Sequence, residues 1–162
     1  MILYHGSTES IVRPDVSFSK DYLDFGRGFY LTKYREQAEK WALRKAMRKH
    51  CEPIVNIYEF DESRRYERWL RFAEYDAAWL DFICACRRGE RVYEKYSIVE
   101  GNVADDDVFK TVDLYFRGIW DKERTLKELR FYRQNHQLAF IDQTVLDAAL
   151  TFNGSYEVKQ ND

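Results

Sequence analysis

Strand-like segments crowd both ends of the chain and helix-like segments fill its middle, and this uneven order restricts the fold more than any other feature. A doubly wound parallel sheet requires strands and helices in regular alternation; without it, the pattern predicts an α+β fold. The opening run Ile2 to His5 reads as a strand and Gly28 to Thr32 (GFYLT) as a second, with Pro14, Asp15, Asp21 and Asp24 breaking every sustained period between them. From Arg35 to His50, Ala38, Trp41, Ala42 and Ala46 recur three or four apart among charges, which predicts a helix ended by Pro53. Ile54 to Phe60 (IVNIYEF) alternates as a half-buried strand, and Ser63 to Arg88 predicts two helical stretches around Tyr75.

In the second half, Tyr96 to Glu100 predicts a short strand. Asp105, Asp106 and Asp107 stand where they cap a helix running through Arg117 to Gly118. A helix from Asp121 to Tyr132, a strand at QLAFI, a short helix near Thr144 to Leu150 and a last strand around Ser155 to Lys159 complete the reading. With only two prolines and no linker, repeat or low-complexity tract, residues 1–162 read as a single domain.

Composition narrows the class. Hydrophobic residues are 45% and aromatics 17%, enough for a packed core. Lys plus Arg number 26 against 28 Asp plus Glu, so the basic excess of a dedicated nucleic-acid binder is missing. No apolar stretch approaches the roughly 20 residues that span a bilayer, and MILYHGSTES has no basic region or long apolar run, so a cytoplasmic protein with no membrane partner is expected. Cys51, Cys84 and Cys86 are odd in number and lack CxxC spacing, which argues for reduced thiols over a disulfide framework or structural zinc.

Two segments carry chemistry. His5 closes the first strand before Gly6 and Ser7, so a polar ring stands where the backbone offers close approach; a strand end with a satisfied imidazole fits the same residues. In Asp24 to Thr32 (DFGRGFYLT), Gly26 and Gly28 bracket Arg27 directly before an aromatic strand. A Rossmann fingerprint needs a third glycine and a following helix, and both are absent. Phe29 and Tyr30 alternate in direction, one of them toward the core. The Asp105 to Asp107 run fits helix capping better than cation binding, because three consecutive residues do not share one direction. Lys33, Arg35, Lys40, Arg44, Lys45, Arg48 and Lys49 give the first long helix a basic face, for which solvation is the simpler account and attraction of a phosphate backbone or acidic target the other.

Together LYHGS, DFGRGFYLT, EQAEKWA, PIVNIYEF, WLDFICACRRG, the VADD segment and NHQLAF resemble the ADP-ribosyltransferase superfamily in its poly(ADP-ribose) polymerase-like His-Tyr-Gln form. Most closely they resemble an uncharacterised bacterial family within it, domain-of-unknown-function family 3990, over nearly the whole chain. The resemblance implies an ADP-ribosyltransferase-like split β-sandwich of two small antiparallel sheets with flanking helices and an NAD cleft between the sheets. It implies that His5 hydrogen-bonds the ribose hydroxyls, that the Gly6 backbone clamps the nicotinamide carboxamide and that Tyr30 stacks on the nicotinamide ring, with Ser7, Gly28 and Phe29 beside them. The second aromatic of the site falls on Trp41, whose place in the apolar stripe of its helix fits the core equally.

The third position falls on Gln137, where many active members carry glutamate. Glutamine keeps a hydrogen bond but loses the charge that steadies the breaking glycosidic bond, so Gln137→Glu is expected to raise nicotinamide release. Satisfaction of backbone groups at a strand edge is the structural alternative for Gln137, and His136 is expected on the opposite face. The implied activity is NAD-dependent mono-ADP-ribosyl transfer with NAD as co-substrate, no metal, and a macromolecular acceptor, protein rather than nucleic acid. Water as acceptor makes the same site an NAD glycohydrolase, and the missing glutamate leaves open a non-catalytic module binding NAD, ADP-ribose or a protein. A 2′-phosphotransferase acting on RNA uses a related scaffold, but its basic quartet is not seen. Bacterial relatives that act as toxins or effectors imply, by analogy alone, a neutralising antitoxin partner.

Overall fold

The computed structural model describes residues 1–159, and its architecture is α+β with two small sheets. In chain order the elements are β1 (Ile2–Ser7), β2 (Phe29–Leu31), α1 (Arg35–Lys49), β3 (Ile54–Phe60), β4 (Trp69–Arg71), α2 (Ala77–Arg87), β5 (Ile98–Gly101), α3 (Asp106–Phe116), α4 (Lys122–Leu129), β6 (Gln137–Phe140), α5 (Gln143–Ala149) and β7 (Leu150–Glu157). Three strands form one sheet in the order β1-β3-β7, all antiparallel; four form the other in the order β2-β6-β5-β4. A single bridge between Tyr4 and Thr32 joins the sheets through two backbone hydrogen bonds of 2.8 and 2.9 Å.

Alternation along the strands sorts the side chains into three clusters. Leu3 of β1, Tyr58 and Phe60 of β3, Phe29 and Leu31 of β2, and Leu138 and Phe140 of β6 pack between the sheets, closed at one side by Leu146 and Ala149 of α5. The outer face of the larger sheet, Val99 and Ala139, is covered by Trp79, Leu80 and Ile83 of α2, Val108 and Val112 of α3 and Leu129 of α4. On the smaller sheet, Ala38 and Ala42 of α1 cover Val55. Each fully buried Leu, Ile or Phe contributes about 1.5–3 kcal/mol, which makes the inter-sheet cluster the main support of the strands that carry the site.

Helix ends follow their expected chemistry. Asp105 caps α3 by accepting from the Val108 amide at 3.2 Å, and Gly118 follows the C-terminus at φ +75. Among the described residues no group of three or more His, Cys, Asp or Glu is arranged to hold a metal. Cys84 and Cys86 are buried and Cys51 is exposed, all free. No described helix is long and apolar enough to cross a membrane.

Three readings of the sequence are corrected. The expected helix between Ser63 and Tyr75 is replaced by a turn and the strand β4, because Trp69 and Leu70 pair with Ile98 and Val99 some thirty residues on, a contact that no local period records. That pairing is parallel, so the larger sheet is mixed rather than antiparallel. The last strand starts at Leu150, directly after α5, because its first residues pair with Glu59 and Phe60 of β3.

Gly6 fixes how closely α1 approaches β1. A Cβ there lies 2.2 Å from the Ala38 carbonyl oxygen and 2.6 Å from the Ala42 nitrogen, both backbone atoms that yield only if the helix moves. Gly6→Ala is therefore expected to destabilise the protein by about 2–3 kcal/mol, read as a lowered midpoint in urea denaturation. An unchanged midpoint contradicts this packing.

Candidate functional site

His5 sits at the seam where β1 parts from β2. Its Nδ1 lies 2.5 Å from the Tyr30 carbonyl oxygen, an obligate acceptor, so Nδ1 carries the proton. The ring stacks on Phe29 with centroids 4.3 Å apart. Burial, reinforced by the positive charge of Lys45, pushes the imidazole pKa down to about 3 against the opposing pull of the Tyr30 carbonyl. Near neutrality the ring is uncharged and Nε2 is an acceptor. Nε2 makes no hydrogen bond to any described residue.

Tyr30 points the other way along β2, with its ring packed against the cluster under α2, α3 and α4. Its hydroxyl donates to the Gly26 carbonyl at 2.6 Å and accepts from the Phe25 amide at 3.0 Å. Burial, then the negative charge of Asp24, raises its pKa far above the usual phenol range, so it stays protonated. Tyr30 therefore anchors the Asp24 to Gly28 turn as well as presenting a half-buried ring. Tyr30→Ala removes packing and both hydrogen bonds together, so it is not a substitution that leaves the fold untouched.

The register brings Gln137 to the same face. Tyr30 pairs with Ala139 and Leu31 with Leu138, which sets Thr32, the bridge partner of Tyr4, opposite Gln137. Gln137 is buried, with Nε2 3.5 Å from Asp24 Oδ2 and 3.4 Å from the Asn102 carbonyl oxygen. Its Oε1 has no hydrogen-bond partner among the described residues and is absent from their buried unsatisfied atoms. His136, on the opposite face as expected, accepts the Lys33 amide at Nδ1 and donates from Nε2 to Glu100 at 2.9 Å.

Gly6 shares the backbone direction of Tyr4, two residues before it, so its amide and carbonyl face the open edge of β1 beyond the bridge. The carbonyl accepts from Lys45 Nζ at 2.6 Å. Lys45 is held down to a pKa of about 8 by burial first and then by Lys49, Lys20 and Arg48. Ser7 is buried beside it. Gly28 and Phe29 have packing roles: a Cβ on Gly28 falls 2.7 Å from the Phe140 carbonyl oxygen, and the Phe29 ring lies between His5 and Tyr58.

Trp41 is half-buried and stands outside the core clusters. It lines a cavity of about 720 Å³ between α1 and the segments leading into α3 and β6, together with Tyr34, Lys40, Arg44, Asp105 and Asn135. Arg44 crosses from α1 to Asp106 of α3 at 2.6 Å. The basic face of α1 is thus partly neutralised, Arg35 also resting on the Tyr156 ring and Glu39. His5, Gly6, Tyr30 and Gln137 are outside the lining of this cavity. Lys45, read in the sequence only as part of the basic face of α1, and Asp24, which opens the glycine segment, join the site; Asn102 left no signal there.

These features define a small α+β protein with a neutral histidine at the seam of its two sheets, a tyrosine and a glutamine sharing one face of the larger sheet, and a groove of mixed charge against α1. The chain belongs to the family described as "Protein of unknown function (DUF3990)", whose model matches residues 1–152. Neither the curated proteins nor the solved structures contain a match.

The depressed His5 pKa has a measurable consequence. Between about pH 3 and pH 6.5 the unfolded chain binds a proton at His5 that the native chain refuses, so stability falls as the pH drops through this window and is fully present above it. Wild type should lose melting temperature more steeply than His5→Gln from about pH 6.5 to about pH 4. Parallel curves contradict a buried neutral His5.

Proposed function

We propose that this protein is a member of the ADP-ribosyltransferase superfamily that binds NAD where the two sheets part and transfers ADP-ribose singly to a macromolecular acceptor. The observation that carries this reading is the His5–Tyr30 link across the seam, with Gln137 in register on the Tyr30 face. His5 Nε2 and Gln137 Oε1 are both free acceptors, and a ribose offers hydroxyl donors. The Tyr30 ring supplies a flat face for nicotinamide, the Gly6 amide a donor for its carboxamide oxygen, and the Trp41 groove room for the pyrophosphate and adenosine, with Lys40 as a cation there and Arg44 already paired with Asp106.

In the reaction the bond between C1″ and the nicotinamide nitrogen breaks, its electron pair leaving with nicotinamide, and C1″ gains oxocarbenium character before an acceptor nucleophile bonds to it and loses its proton. Gln137 steadies that charge only as a dipole, which favours slow single transfer over polymer formation. Attack by water in place of the acceptor gives NAD hydrolysis.

A second reading, a non-catalytic NAD or ADP-ribose module, is favoured by Gln137, whose amide offers a hydrogen bond but no charge to the breaking bond.

Nicotinamide release from labelled NAD, with and without cell lysate, separates the readings. Transfer requires release and a labelled lysate component, with release lowered about 100-fold in His5→Gln. Binding without release leaves the module reading, and absence of NAD binding by wild type removes both.

A further inference from the structure

The surroundings of Gln137 explain why a glutamine stands where a carboxylate is expected. Asp24, in the turn before β2, is itself held in place. Its Oδ1 accepts from Arg87 Nη2 at 2.6 Å and Nε at 3.2 Å, and its Oδ2 accepts from the Ala104 amide at 3.1 Å. Arg87 and Asp24 are about 14% and 15% exposed, so this ion pair is largely withdrawn from water. It ties the turn to α2 and to the loop before α3. The second group facing Gln137 is the Asn102 carbonyl, which also accepts from Trp79 Nε1 at 3.0 Å and so cannot turn away. Both groups within reach of the Gln137 head are acceptors.

An amide has one donor end and one acceptor end, and two acceptors on one side decide which way it lies. With Nε2 toward Asp24 and Asn102 the contacts, although long, are attractive; the flipped amide sets its oxygen against a carboxylate and a carbonyl. We propose that Asp24 is a positioning residue for Gln137: with the Asn102 carbonyl it pins the amide nitrogen and so turns Oε1 outward as an acceptor. This arrangement accepts glutamine and opposes glutamate. A glutamate at this position places a second carboxylate against Oδ2 of Asp24, with Arg87 already engaged on the far oxygen. Like charges at this separation disfavour the ionised form, so the substitution adds no usable charge to the site. On this proposal Gln137→Glu does not raise nicotinamide release, the opposite of what the resemblance implies.

The orientation of the amide stands on local chemistry alone, whereas its use in holding a ribose hydroxyl rests on the proposed NAD reading. A double-variant cycle separates the two. In Gln137→Glu the melting temperature should fall by about 5 °C or more. In Asp24→Asn/Gln137→Glu the charge at position 24 that opposes the new carboxylate is gone, so the double variant should be more stable than the sum of the two single losses predicts. Should Gln137→Glu fail to fold, folding of the double variant is the same rescue. Additive losses, or a double variant that stays unfolded while Asp24→Asn alone folds, overturn the proposal.

NAD binding is then measured on the folded variants. Gln137→Glu should bind about tenfold more weakly, with recovery in the double variant. Rescue of stability with no NAD binding by wild type removes the NAD reading and leaves the Asp24–Gln137 pairing. NAD binding by wild type with additive stability losses removes the pairing and leaves the NAD reading.

Discussion

The two hydrogen bonds between Tyr4 and Thr32 are the point on which the remaining geometry turns. They hold the edge of one sheet to the edge of the other for a single residue pair, after which β1 and β2 separate. Strands paired along their whole length consume every backbone donor and acceptor; strands that part after one bridge leave the next ones unspent. Gly6 lies on the unspent side, and its lack of a Cβ lets α1 settle against β1 there. The seam, the helix beside it and the free backbone edge are therefore consequences of one local pairing.

The site is neutral at its centre and charged around it. His5 is kept uncharged by burial, Tyr30 by burial and by Asp24, and Gln137 has no charge to lose. The charges that come closest are already engaged: Asp24 by Arg87, and Lys45 by the Gly6 carbonyl. His5 Nε2 and Gln137 Oε1 are left as acceptors whose orientation is fixed by the bonds their other ends make. Lys45 is the exception in character. It is a cation with a lowered pKa resting on the Gly6 carbonyl at the open edge of β1.

Much of the local structure was legible from the chain. The α1 periodicity, the caps of α3, the IVNIYEF strand and the QLAF strand all rest on interactions within a few residues, and all are present where the pattern places them. β4 was not legible, because a three-residue edge strand has no period of its own and exists only through its distant parallel partner. Trp41 shows the same limit at the level of the site. Its spacing fits a core stripe and a groove lining alike, and only the position of α1 against the loop at Asn135 makes it a groove residue.

The sequence by itself determined the α+β class and most of the helices and strands, since these follow from local periodicity, and its resemblance to a known superfamily singled out His5, Tyr30 and Gln137. Tertiary structure alone decided what surrounds them. Whether a glutamine at 137 is a weakened glutamate or a fitted amide depends on two acceptors contributed by the Asp24 turn and by Asn102, and neither is near it in the chain. Hydrogen-bond direction is set by the partner atoms in space, and no spacing along a sequence encodes which end of an amide they will face.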